Sequence, residues 1–161
     1  MDSGDNSLVK NWAAITSNAA GDRMAAVVNG GYIYTYYEES DLWSSTATEN
    51  TWVSISSSDD GRVLAAAANG EYVYISETFG VRWIKQVDMG IKKWRAIKVS
   101  SDGKKFFVID DDGYVFKAVA GEFSTIWTEQ SYGQRARWHA LTLVERIAMF
   151  TFLLNNGKYD N

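Results

Sequence analysis

The sequence has no cysteine, no proline, a single histidine and no apolar run of membrane length. Without Cys there is neither a disulfide framework nor a thiolate metal site, and the compartment cannot be read from redox chemistry. Without Pro, the turns must rest on the thirteen Gly together with Asn and Asp. The longest apolar stretch, Ile147 to Leu154 ("IAMFTFLL"), falls far short of the roughly 20 residues of a membrane helix, which excludes a helical span. The start, "MDSGDNSLVK", lacks a basic segment followed by an apolar one, so no secretory signal is expected in the chain as it stands. The mature form of a processed precursor would look the same. With His139 alone, imidazole metal clusters are excluded, and any Ser-His-Asp triad would have to be built around that one residue.

The 161 residues suit one domain burying roughly 70% of its unfolded surface. The net charge of -4 is unevenly spread: residues 1 to 80 hold 3 basic and 11 acidic side chains, and residues 81 to 161 hold 13 and 9. The basic stretch Lys92, Lys93, Arg95, Lys98, Lys104 and Lys105 falls at loops and hairpin turns rather than on one continuous face, so no nucleic-acid partner is expected.

What the chain does have is tryptophan in step. Trp12, Trp52, Trp94 and Trp138 recur at spacings of 40, 42 and 44, and Trp43, Trp83 and Trp127 form a second register. A period near 40 without helical periodicity predicts four-stranded propeller blades. The first strands read "NWAAITS", "TWVSISSS", "KWRAIKVS" and "RWHALTL", and three are followed by turns carrying Gly21, Gly61 and Gly103. The second strands "RMAAVV", "RVLAAAA" and "KKFFVI" are apolar on both faces, as sheets stacked face to face require.

Each second strand ends in Asn29-Gly30, Asn69-Gly70, Asp112-Gly113 or Asn156-Gly157, dipeptides suited to two-residue type I′ hairpins. The third strands "YIY", "YVY" and "YVF" place Tyr32 and Tyr34, Tyr72 and Tyr74, or Tyr114 and Phe116 on one face. Recurrence of these rings in every unit predicts packing against the adjacent blade rather than a sugar platform.

The closing segment "SETFGVRW" resembles the Asp-box S-x-D-x-G-x-x-W of sialidase-type repeats: Ser76, Gly80 and Trp83 match, and Thr78 stands at the Asp position. "YYEESDLW" and "AGEFSTIW" are looser, with Glu38 and Ser40, or Glu122 and Ser124, at the Asp and Gly positions. With the hairpin dipeptides, the resemblance covers three units and part of a fourth. It is similar to the superfamily that includes sialidases, sortilin-type receptors, xyloglucan-degrading hydrolases and the propeller factor assisting photosystem II assembly. The resemblance implies a structural box whose side chains hydrogen-bond turn backbone.

The expected fold is therefore all-β: one β-propeller domain over 1–161, with units at about 12–51, 52–93, 94–137 and 138–161 plus 1–11. "DSG" and "SLVK" near the N-terminus are complementary to a last unit that stops early, so closure of four blades by the N-terminal strand is preferred. A partial propeller completed by association is the alternative. The fourth unit lacks an Asp-Gly first turn, and its apolar second strand must be covered by something.

No catalytic constellation emerges, and neither a cofactor nor a metal is expected. His139 fills the strand slot held by Ala13, Val53 and Arg95, and Asp110, Asp111 and Asp112 alternate in direction and lack calcium-loop spacing. The arginine cluster, general acid and Tyr nucleophile that a sialidase resemblance would demand draw on about six blades. The expected function is a non-catalytic interaction or scaffold module, binding a protein partner or itself through loops on one face; a glycan-binding propeller is the alternative. Binding candidates are Tyr36, Tyr37, Lys92, Lys93, Tyr132 and Arg135. Trp12, Trp43, Trp52, Trp83, Trp94, Trp127, Trp138, Gly30, Gly70, Gly113 and Gly157 are assigned to the repeat framework.

Overall fold

The computed structural model describes residues 10–120 and the strand backbone of 125–130. Its strands are β1 (Trp12–Ser17), β2 (Arg23–Tyr37), β3 (Leu42–Ser57), β4 (Leu64–Glu71), β5 (Val73–Ser76), β6 (Ile84–Lys85), β7 (Lys92–Val99), β8 (Lys105–Asp110), β9 (Val115–Ala120) and β10 (Thr125–Gln130), with one 3₁₀ turn at Val87–Met89. β2 runs through the Asn29-Gly30 hairpin and so supplies two blade strands. β3 closes the first unit with Leu42–Thr46 and opens the second with Trp52–Ser57. Counted by unit, β1 to early β3, late β3 to β6, and β7 to β10 are three four-stranded antiparallel blades.

The repeat is closer in geometry than in sequence. Trp12 opposes Val28, Trp52 opposes Ala68 and Trp94 opposes Asp110, and the register shifts by one residue directly after each Trp. Ala13, Val53 and Arg95 thus occupy a β-bulge in the first strand, which twists that strand. The slot shared with His139 is a bulge position, although His139 itself lies outside the described residues.

Neighbouring blades are tied by backbone as well as by packing. Asn29 pairs with Thr51 and Asn69 with Lys93, each linking one unit's hairpin to the start of the next unit. At the other end, Ala19 N–H donates to Asp59 O and Asp59 N–H to Ser101 O, both at 2.9 Å, chaining three successive turns. Between first strands, Ile97 N–H reaches Ser54 Oγ at 3.2 Å and Val99 N–H reaches Ser56 Oγ at 3.1 Å.

Two apolar cores fill the gaps between blades. Ala25, Val27 and Ile33 of the first blade pack on Trp52, Ile55, Ala66, Ala68 and Tyr74 of the second. Ala65, Ala67, Val73 and Ile75 of the second pack on Trp94, Ile97, Val108, Phe116 and Ala118 of the third. Alternate alanines of β4 therefore serve opposite neighbours, which explains the continuous apolar run and its small side chains. Trp52 and Trp94 meet Tyr74 and Phe116 edge to face at 5.1 and 5.5 Å, so these two third-strand rings are core, whereas Tyr32 is exposed and Tyr34, Tyr72 and Tyr114 are half-buried, which departs from the expectation that every such ring packs against a blade.

The hairpins differ from the type I′ expectation. Gly30, Gly70 and Gly113 do have positive φ, but among the described non-glycine residues positive φ is confined to Asp41, Ala47 and Phe79. A type I′ turn needs it at both central residues. Ala68 and Tyr72, like Asp110 and Tyr114, instead close three-residue loops. The reason is the neighbouring blade: Asn29 and Asn69 are held extended by pairing with Thr51 and Lys93. The fourth unit, with Trp138 and Gly157, and the N-terminal closing strand lie outside the described residues.

Candidate interaction surface

Each blade presents two ends. At one, the first-strand turns are locked by their own side chains. Ser58 Oγ donates to Asp60 Oδ1 at 2.6 Å, which accepts from Arg62 N–H, while Val63 N–H donates back to Ser58 Oγ. Ser100, Asp102, Lys104 and Lys105 repeat the arrangement. The Ser hydroxyl first, and the backbone N–H second, hold Asp60 and Asp102 below the usual Asp range. Asn18 does the same work in the first blade, its Oδ1 accepting from Gly21 and Arg23 N–H.

Also at this end, Ser76 Oγ accepts from Thr78 and Gly80 N–H at 3.2 and 3.0 Å, and Thr78 Oγ1 accepts from Arg82 N–H at 2.9 Å. Thr78 thus holds this turn through a neutral hydroxyl.

Tyr36 and Tyr37 end β2 beside these turns. Tyr37 is a strut, since its hydroxyl donates to Phe79 O at 2.8 Å and the Arg23 guanidinium sits 4.7 Å over its ring and 4.3 Å over Phe79. A shallow recess lined by Arg23, Thr35, Tyr37, Ser57 and Phe79 adjoins this clamp. Tyr36 donates to Asp41 Oδ1 at 2.9 Å, and that bond raises its phenol pKa.

Lys92 and Lys93 start β7, at the opposite end of the blades. Lys92 Nζ lies 4.0 Å from the buried Asp110 carboxylate and 5.1 Å over Phe116, so it is spent on the third blade's own closure. Lys93 is exposed, and its carbonyl accepts from Asp111 N–H. The two pairs lie at opposite ends of the blades, on the first and the third blade, so the structure does not bring the sequence candidates onto one loop face. Tyr132 and Arg135 lie outside the described residues. No group of three or more His, Cys, Asp or Glu able to hold a metal occurs among the described residues.

A different surface comes together on the flank of the first blade. Trp12 lies 5.4 Å from Tyr34 and 6.2 Å from Trp43, Trp43 lies 5.4 Å from Tyr36, and Lys10 Nζ sits 5.1 Å over Tyr34. Four rings form a continuous stripe. Trp12 is 49% exposed where Trp52 and Trp94 are 0% and 1%, and Ile15 is 65% exposed where Ile55 is 3% and Ile97 0%. Trp43 is 43% exposed, whereas Trp83 is tucked against the first core with Nε1 on Thr46 Oγ1. The sequence reading assigned Trp12 and Trp43 to the framework, and no local signal in the sequence sets them apart from Trp52 and Trp83.

No protein-family model matches the chain, and no curated protein matches it in sequence. Among solved structures it is similar to hydrazine synthase of Kuenenia stuttgartiensis, at 17% identity and TM-score 0.60, with 78% of this chain over 38% of that one. It is also similar to the β-propeller domain of Myceliophteria thermophila Cps50 (Swd1), at 15% identity and TM-score 0.61, 76% over 39%. A third likeness is to YCF48 bound to D1 peptide, at 10% identity and TM-score 0.60, 74% over 39%. The fold is a β-propeller. The chain spans about two fifths of the length of these structures. No helix among the described residues is long and apolar enough to cross a membrane.

Proposed function

We propose that this chain is a non-catalytic β-propeller interaction module whose partner-binding surface is the open flank of the first blade. The reading is carried by one observation: Trp12 and Ile15 are exposed where the second and third blades bury Trp52 and Ile55, or Trp94 and Ile97, at an interface, and Trp43 is exposed beside them where Trp83 packs against the first core. Exposed apolar patches of this kind mark association surfaces, and aromatic residues dominate the energetics of such contacts. YCF48, of similar fold, is bound to a peptide in its structure, which supports a propeller frame in this role. We also read Ser76–Trp83 as a worn Asp-box, on the support of its Ser and Thr hydrogen bonds. It serves the fold rather than chemistry.

A photo-crosslinking residue at position 15 or 43 tests the surface. Covalent capture of protein from these two positions, and none from position 91 on the loop before β7, is the expected outcome. The half-exposed Trp43 and Tyr36 pair also favours a sugar-stacking reading. A glycan that shifts tryptophan emission and blocks capture at position 43 would replace the protein partner with a carbohydrate.

A further inference from the structure

The hairpins of the three blades do the same structural job with unequal chemistry. Among the described residues two asparagines precede a glycine, Asn29 and Asn69, each exposed at a hairpin turn. Gly30 and Gly70 have φ +72 and +73, with nothing within 4 Å of an added Cβ, so the backbone nitrogen after each amide is open to approach. Asn11, Asn18 and Asn50 are followed by Trp12, Ala19 and Thr51, whose side chains crowd that nitrogen. The third hairpin has Asp112 before Gly113 and no amide to lose.

The amide of an Asn-Gly pair is lost through its own backbone. The glycine nitrogen attacks Cγ, a new N–Cγ bond forms as the Cγ–Nδ2 bond breaks, and ammonia leaves with the proton of the glycine N–H. Water then opens the resulting cyclic imide at either carbonyl, giving aspartate or isoaspartate. The five-membered ring closes only when the Asn Cα–C torsion swings the glycine nitrogen to the side of Cβ, which extended backbone does not do. Asn29 and Asn69 are extended because each pairs across a blade joint, with Thr51 and with Lys93. Cyclisation therefore proceeds from a locally opened hairpin, at a rate set by how firmly that hairpin is tied to the next blade.

The two joints are tied unequally. Behind Asn69, the Glu71 carbonyl accepts the Trp94 indole N–H at 2.9 Å, so a buried ring of the third blade anchors the second hairpin. Gly31 stands at the same place in the first hairpin, paired with Asn50 as Glu71 is with Lys92, but the buried Trp52 indole N–H has no hydrogen-bond partner there. We propose that Asn29-Gly30 is a site of spontaneous deamidation, whereas the same reaction at Asn69-Gly70 is slowed by the Trp94 anchor. The product carries a new negative charge and, as isoaspartate, one more backbone carbon, at a residue whose N–H donates to Asn11 O at 2.9 Å directly before Trp12. The modification thus alters the strand that carries Trp12 as well as the joint with the second blade.

The test is site-resolved peptide mass mapping of the full chain after incubation at mildly alkaline pH, with isoaspartate counted by isoaspartyl methyltransferase labelling. In the folded chain Asn29 is expected to lose its amide about fivefold faster than Asn69, the factor given by one net hydrogen bond. In concentrated urea, where neither hairpin is formed, the two rates should converge and exceed either folded rate. Trp94→Phe keeps a buried ring and removes the anchor, so it should raise the Asn69 rate to that of Asn29. Trp52→Phe has no anchor to remove and should leave the Asn29 rate unchanged. Equal folded rates, a faster Asn69, a ratio that persists in urea, or an unreactive Asn29 in a chain whose unfolded form reacts each overturns the proposal. A Trp94→Phe variant in which both sites accelerate alike, or neither does, overturns the anchor as the cause of the difference.

Discussion

At the scale of single residues, equal jobs are done by unequal side chains. Asn18 accepts two backbone N–H groups alone, whereas Ser58 with Asp60 and Ser100 with Asp102 divide the work between a hydroxyl and a carboxylate. Thr78 holds its turn with no charge at all. The charged versions carry a pH signature. Because the folded state lowers the Asp60 and Asp102 pKa values, their contribution is fully present above the unfolded Asp value of about 3.9 and is lost as pH falls through the folded values. Urea midpoints of an Asp60→Ala/Asp102→Ala double variant should lie below the wild type at neutral pH and converge with it in the acid range below about pH 4. Both groups are solvent-exposed, so the gap at neutral pH should be small.

At the scale of elements, the turns are where blade meets blade. Gly80 has φ +84, and a Cβ there would stand 2.6 Å from Thr35 Cγ2 of the first blade and 3.2 Å from Leu64 Cδ1. Gly30 has nearly the same backbone, φ +72, with nothing within 4 Å of an added Cβ. The left-handed backbone alone costs a non-glycine residue about 1–2 kcal/mol. Gly30→Ala should therefore cost about 1 kcal/mol, and Gly80→Ala about 2–4 kcal/mol because overpacking adds to the same strain. Equilibrium urea denaturation of the two variants measures the difference, and equal losses would mean that Thr35 yields without cost.

At the scale of the whole molecule, stability is a sum over blades and the interfaces between them. Ile15, Ile55 and Ile97 hold one repeat position in three surroundings, only two of them enclosed. Ile55→Ala and Ile97→Ala should each cost about 2–4 kcal/mol at any protein concentration, as buried large-to-small changes do. Ile15→Ala, at an exposed position, should cost no more than about 0.5 kcal/mol. Thermal midpoints of the three variants would separate the two behaviours.

By itself the sequence determined the blade: seven Trp in two registers, a glycine in each hairpin, and apolar second strands set the period, the strand order and the class of fold. These are legible because each reports a local requirement, a positive φ or a face that must be covered, that recurs with every copy. The bulge after each Trp, the extended Asn29 and Asn69, and the Arg23 clamp between Tyr37 and Phe79 were not, since each depends on which other segment of the chain lies alongside. Nor could sequence bring out that Tyr36 and Tyr37 lie at one end of the blades and Lys92 and Lys93 at the other. Only the tertiary structure decided that Trp12 and Trp52, alike in every local respect, differ in what they face: burial belongs to the neighbour as much as to the residue, and the first blade has no neighbour on that side among the described residues.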